Sequence, residues 1–157
     1  MIGKLIDQEE LTTNQLEEFK NLLNGKTVAV IEREENMRVY LEEALGLGNA
    51  TVLGSTNGEE VLEAVREKKK IDAVVADSLV VNQNTGVWNE LPILLEEHNI
   101  PLILLDSGDP KIVDQIAART NAKRVIYGES YRQGPTGTLI KTVAEQIEIA
   151  QKTPSPS

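Results

Sequence analysis

Apolar positions along the chain fall into two alternating patterns. Runs of about five residues, rich in β-branched side chains and too short for helices, predict buried strands. They are Lys26 to Ile31, Ala50 to Ser55, Ile71 to Ala76, Pro101 to Leu105 and Val125 to Tyr127. Between them, apolar residues recur every three or four positions, the period of a helix with one buried face. Such faces are Met37, Leu41, Ala44 and Leu45 in Asn36 to Leu45, and Val61, Leu62 and Val65 in Glu59 to Lys69. Trp88, Leu91, Leu94 and Leu95 mark a helix over Trp88 to Glu97. Ile112, Val113, Ile116 and Ala117 mark one that Asp109 caps and Pro110 begins. Leu139, Ile140, Val143, Ile147 and Ala150 mark the last, Thr138 to Gln151.

Strands alternating with helices predict an α/β doubly wound parallel sheet of five strands. One composition regime covers residues 26–151, a single domain. Ahead of it, Leu11 to Leu23 reads as an extra N-terminal helix in an extension over residues 1–25. Thr12 with Gln15 resembles a capping box there, and Asn24-Gly25 is a stop signal. This helix is expected to pack on its own domain or to dock onto a second copy or a partner, the first two being favoured. The tail, residues 152–157, contains Thr153-Pro-Ser-Pro-Ser157, which has nothing to bury and is expected to be disordered.

Composition narrows the chemistry. The 157 residues carry 16 Lys and Arg against 25 Asp and Glu, a formal net charge of −9. That balance argues against a nucleic-acid footprint or an anionic-membrane binder. No apolar run approaches the roughly 20 residues of a membrane span, so a soluble, cytoplasmic chain is expected. The absence of cysteine removes disulfides, thiolate metal sites and a Cys nucleophile. His98 is the only histidine, which removes His-cluster metal sites.

In such sheets ligands bind beyond the carboxyl ends of the strands, at the point where the strand order reverses. The first strand leads into Glu32-Arg33-Glu34-Glu35, the third into Asp77-Ser78, the fourth into Asp106-Ser107 and the fifth into Gly128-Glu129. With a strand order of 2-1-3-4-5, Glu32, Asp77 and Asp106 converge at one edge. Crowded carboxylates are relieved by a proton, a cation or a basic side chain. Arg33 is the simple relief, and a hard cation such as Mg²⁺ the functional one. Spacing alone favours a solvated acidic rim.

A resemblance changes this picture. Val28 to Leu45 resembles the first strand and helix of the receiver (CheY-like) domain of two-component response regulators, with Glu32, Arg33 and Arg38 at its acidic and basic positions. Ser55-Thr-Asn-Gly-Glu-Glu-Val-Leu-Glu63 resembles the exit of the second strand and the second helix. Ile71-Asp-Ala-Val-Val-Ala-Asp77 resembles the third strand, which ends in the phosphoacceptor aspartate, and Ile100 to Leu105 resembles the fourth. The likeness runs from about Lys26 to Glu148. It implies a flavodoxin-like sheet in the order 2-1-3-4-5. It also implies Asp77 as the phosphoacceptor, and Glu32, Asp77 and the carbonyl of Leu79 as Mg²⁺ ligands.

The departures are as informative. The second acidic position falls on Arg33, the switch Thr or Ser on Asp106, the Lys on Gly128 and the switch aromatic on Val125. Glu129 stands where Pro is usual. Residues 78–86 lack the usual Met-Pro, and Gly86 comes one residue late. An ionised Asp106 repels a phosphoryl group instead of donating a hydrogen bond to it. Arg33 removes one metal-supporting carboxylate and could pair with Asp77. Arg132, in the loop from Gly128 to Gly137, is the candidate substitute for the Lys. The pocket set is thus Glu32, Arg33, Asp106, Ser107, Gly128 and Arg132, around a nucleophile position that has lost most of its support.

The sequence therefore resembles a degenerate receiver, a pseudo-receiver. The expected function is a non-enzymatic signalling module that acts by protein–protein interaction, independent of phosphorylation and needing no cofactor. Its partner would be a histidine kinase, an output protein or a second copy in a homodimer. The expected face is Lys111–Arg119, Val125–Tyr127 and Thr138–Gln151. The alternative is a working receiver, phosphorylated on Asp77 with Mg²⁺. A flavodoxin-like enzyme or small-molecule binder has less support, because no Gly-rich phosphate motif follows the first strand. Gly134 to Thr138 lacks the Lys-Ser/Thr of a P-loop.

Overall fold

The computed structural model describes residues 17–106, 109–126 and 136–152. Five parallel strands form one sheet: β1 (Thr27–Ile31), β2 (Thr51–Ser55), β3 (Ala73–Asp77), β4 (Leu102–Leu105) and β5 (Arg124–Ile126). Their order is β2-β1-β3-β4-β5, as expected. The helices are α1 (Glu35–Gly46), α2 (Glu59–Arg66), α3 (Ser78–Gln83), α4 (Thr85–Trp88), α5 (Leu91–Glu97), α6 (Pro110–Thr120) and α7 (Thr136–Lys152).

Strand alternation divides the core into two layers. Val28, Val30, Ala73, Val75, Ile103 and Leu105 pack with α1 and α7 on one face. Ala29, Ile31, Val74, Ala76, Leu102 and Leu104 pack on the other with residues of α2 to α6. β1, β3 and β4 are central and covered on both faces, so they are buried almost without interruption.

Asp109 caps α6 as expected, accepting from the Lys111 amide at 2.9 Å, with Pro110 in the first turn. Asn121 closes that helix in the left-handed conformation at φ +57°. Gly58 is left-handed at φ +96° and donates its N–H to Ser55 Oγ, joining β2 to α2. A Cβ on Gly58 would sit 3.2 Å from Val87 Cγ1. Gly58→Ala is therefore expected to lower unfolding free energy by about 2 kcal/mol, through the φ penalty and the contact. Urea denaturation checks this, and an unchanged midpoint would contradict it.

Two elements differ from expectation. The helix predicted over Trp88 to Glu97 starts at Leu91, because the ring of Pro92 clashes with the carbonyl four residues earlier, that of Trp88. Trp88 instead closes the separate turn α4, with Asn84 Oδ1 accepting from the Val87 amide. It is buried, as expected of a core residue. Second, residues 78–83, to which the sequence pattern assigned no element, are helical, with Asp77 as the N-cap of α3.

Of the predicted N-terminal helix, residues 1–16 lie outside the described residues. Residues 17–19 are helical and a turn follows. Phe19 and Leu23 are buried in the α1–α7 layer, so this segment packs on its own domain. The tail from Thr153 onward also lies outside the described residues. Among the described residues no helix is long and apolar enough to cross a membrane.

Candidate functional site

The strand order reverses between β1 and β3, and β1 is followed at once by Glu32 while β3 ends in Asp77. Ile31 pairs with Ala76, so Glu32 and Asp77 stand at the same level on adjacent strands. Such strands lie about 4.8 Å apart. Both side chains are nearly covered, with relative exposures of 5% and 7%. The sheet thus brings two carboxyl groups together at its switch point.

Burial pushes the Glu32 carboxyl up to about 7, and the charge of Asp77 beside it adds to this. A hydrogen bond between the two side chains raises Glu32 further, because only its protonated form can donate to Asp77. The Glu34 amide, donating to Glu32 Oε1 at 3.0 Å, opposes the rise. Near neutral pH the crowding is thus relieved by a proton shared between the two carboxyls.

Local structure fixes the pair from three sides. The Glu34 side chain caps α1, accepting from the amides of Asn36 and Met37 at 3.2 and 2.7 Å. Arg38 Nη1 donates to the Glu32 carbonyl at 3.0 Å and holds the exit of β1. Asp77 accepts from the Leu79 amide at 3.4 Å as the cap of α3. Glu34 was not among the expected site residues. Glutamate is an uncommon N-cap, so nothing in the sequence marks it.

The other expected members fare differently. Arg33 is exposed and forms no ion pair with Asp77 or Glu32 among the described residues, so it does not close the pocket. Asp106 is buried at the end of β4, where its amide donates to the Ile126 carbonyl at 2.9 Å. It is not among the groups acting on Glu32. Ser107, Tyr127, Gly128 and Arg132 lie outside the described residues.

The expected magnesium ligand at Leu79 meets an obstacle. Leu79 lies in the first turn of α3, where a helical carbonyl points along the axis toward the N–H four residues on. Its carbonyl is thus turned away from Asp77. Two carboxyls remain, one of them a neutral acid for part of the time near pH 7. Among the described residues no group of three or more acidic or histidine side chains is placed to hold a metal. The donor set falls short of the three-point support that the resemblance implied.

The expected interaction face is partly described. α6 leaves Lys111, Ile112, Asp114, Gln115 and Arg119 exposed, and α7 leaves Thr138, Lys141, Glu145, Glu148, Ile149 and Gln151 exposed. Both helices are otherwise anchored by their apolar faces.

No family model matches the chain, and no curated protein matches it in sequence. Solved structures do match. A response regulator receiver protein from Burkholderia phymatum superposes with a TM-score of 0.63 at 17% identity, covering 84% of this chain and 99% of that one. A CheY-like receiver domain protein from Methanospirillum hungatei gives 0.62 at 10% identity, covering 81% and 97%. The response regulator domain of Thermotoga maritima CheB gives 0.60 at 19% identity, covering 78% and 96%. At these identities the likeness is one of fold.

Proposed function

From the receiver fold as premise, we propose that this chain is a signalling module that works by presenting a surface to another protein, without phosphoryl transfer. The observation that carries the reading is the Glu32–Asp77 pair. A proton shared between them supplies the neutralisation that a metal ion would otherwise supply. A phosphoryl group with up to two negative charges would enter a pocket already crowded by two buried carboxyls, with buried Asp106 at the end of the neighbouring strand. In this reading no cofactor is needed and Mg²⁺ plays no part. The surface is the exposed side of α6, β5 and α7, offered to a histidine kinase, an output protein or a second copy. A cytoplasmic setting belongs to the same proposal.

The working receiver is the second reading, favoured by the burial of Asp77 at the end of β3 beside an acidic neighbour. One experiment separates the two. The protein is incubated with Mg²⁺ and acetyl phosphate, and its mass and amide spectrum are followed beside Asp77→Asn. We expect no phosphoryl adduct and an amide spectrum unmoved by beryllofluoride. A near-stoichiometric adduct that Asp77→Asn abolishes would establish the working receiver instead.

A further inference from the structure

The chain contains two Asn-Gly pairs, Asn24-Gly25 and Asn57-Gly58. Such a pair carries a latent reaction. The glycine nitrogen can attack the asparagine side-chain carbon, because no Cβ hinders the close approach of the backbone. Whether it does so depends on what holds that nitrogen. The fold treats the two pairs differently.

Gly58 is buried, and its amide donates to Ser55 Oγ at 2.9 Å. Ser55 is fixed in turn by donating to Glu60. Asn57 Oδ1 accepts from the Glu59 amide at 3.0 Å. A Cβ on Gly58 would lie 3.2 Å from Val87 Cγ1 and 3.3 Å from Ile31 Cδ1, so the surrounding space is filled. Attack here would have to break a buried hydrogen bond and move packed atoms.

Asn24 and Gly25 are both exposed, in the turn that leads into β1. A Cβ built on Gly25 would meet nothing within 4 Å. Among the described residues the Gly25 N–H has no acceptor, and neither does Asn24 Nδ2. Asn49 Nδ2 donates to Asn24 Oδ1 at 2.7 Å. That oxygen gains negative charge when the side-chain carbon is attacked, so the donor stands where the reaction needs it.

We propose that Asn24 is a site of spontaneous modification, converted in the folded chain to an aspartyl or isoaspartyl residue through a cyclic imide, while Asn57 is preserved. The Gly25 nitrogen gives its proton to hydroxide and bonds to Asn24 Cγ. The bond from Cγ to Nδ2 breaks, and ammonia leaves with a proton from water. Water then opens the imide, adding OH to one carbonyl carbon and H to the nitrogen. Opening at Cγ gives aspartate. Opening at the main-chain carbonyl gives isoaspartate, whose backbone is one atom longer. That atom falls inside the turn closed by the Lys26 amide on the Leu23 carbonyl at 2.9 Å, so the isoaspartyl form loses this bond.

The test incubates the full chain at about pH 8, folded or unfolded in guanidinium chloride. Fragmentation mass spectrometry of its peptides, with zero-time controls, follows replacement of NH₂ by OH at each asparagine. In the unfolded chain Asn24 and Asn57 should react at similar rates. In the folded chain Asn24 should react faster by about tenfold or more, the factor that one buried hydrogen bond imposes on a rate. Both aspartyl and isoaspartyl products are expected at Asn24. The Lys26 amide of the isoaspartyl form should exchange with solvent faster than in the parent. Gly25→Ala should suppress the reaction, and the comparison of parent rates stands if that variant folds poorly at φ +75°. Equal rates in the folded chain, an Asn24 that stays intact while the unfolded chain reacts, or aspartate as the sole product would overturn the proposal. Unchanged Lys26 exchange would overturn the effect assigned to the longer backbone.

Discussion

Phe19→Ala is expected to lower the unfolding free energy by about 3 kcal/mol, near the lower end for truncating a buried phenylalanine. Phe19 is only 4% exposed and belongs to the α1–α7 layer together with Leu23. Its ring fills a notch that exists because residue 137 is glycine. A Cβ at that position would lie 2.8 Å from ring carbons Cε2 and Cζ. Lys141 Nζ stands 5.1 Å from the ring centroid, and Lys141 also pairs with Glu18 at 3.5 Å. Those two charges are exposed, so the ring burial carries most of the effect. Gly137→Ala must push the ring out of its notch and is expected to destabilise by about 1–3 kcal/mol. In the double variant the alanine methyl occupies part of the space the ring leaves. The two losses should therefore not add, and a urea-denaturation double-mutant cycle would read a coupling of about 1 kcal/mol. Additive effects, or a loss under about 1 kcal/mol in Phe19→Ala, would mean that this segment is a loosely attached extension.

That segment illustrates what the sequence could and could not disclose. Leu11 to Leu23 carries a helical stripe, but a stripe does not say what covers it. The notch at Gly137 comes from a residue more than a hundred positions away, beyond any local pattern. The strands were legible because buried parallel strands are written as short apolar runs, and all five lie within two residues of expectation. The segment after β3 was not. Val80, Val81, Val87 and Trp88 are buried there in two short helices whose breaks at Asn84 and Pro92 erase the period. The Asp77-Ser78 pair was itself a capping signal, masked by its reading as a strand end with chemistry.

That Glu32 and Asp77 stand side by side was legible, because acidic residues at strand ends on either side of a switch point are visible from alternation alone. Arg33 was misplaced because closeness in sequence was taken for closeness in space. Successive residues leaving a strand face opposite ways, so a buried Glu32 sends Arg33 to solvent. The direction of the Leu79 carbonyl was not legible, because it depends on the helix over residues 78–83, to which the sequence pattern assigned no element.

The second large effect is a dependence on pH. Glu32 is pushed from an ordinary 4.5 to about 7 in the folded chain. A carboxyl with a raised pKa holds its proton in the native state when the unfolded chain has already released it. The associated stability is complete below pH 4.5, declines as pH rises toward about 7, and is absent above that. At about 1.4 kcal/mol per pH unit, the loss is roughly 3 kcal/mol. Glu32→Gln removes the titration and keeps the contacts. Its carbonyl oxygen can accept from the Glu34 amide, and its NH₂ can donate to Asp77 as the protonated acid does. The variant should match the parent at pH 4.5 and exceed it by about 2–3 kcal/mol near pH 8.5, as read by urea unfolding at both values. Other carboxyls titrate alike in both proteins and cancel in the difference. Parallel stability curves would show that Glu32 is not a buried, proton-holding acid. A variant less stable near pH 8.5, with the deficit closing at pH 4.5, would show that the ionised carboxylate is held by a cation. That result would restore the metal-dependent reading, because a bound cation removes the need for a shared proton.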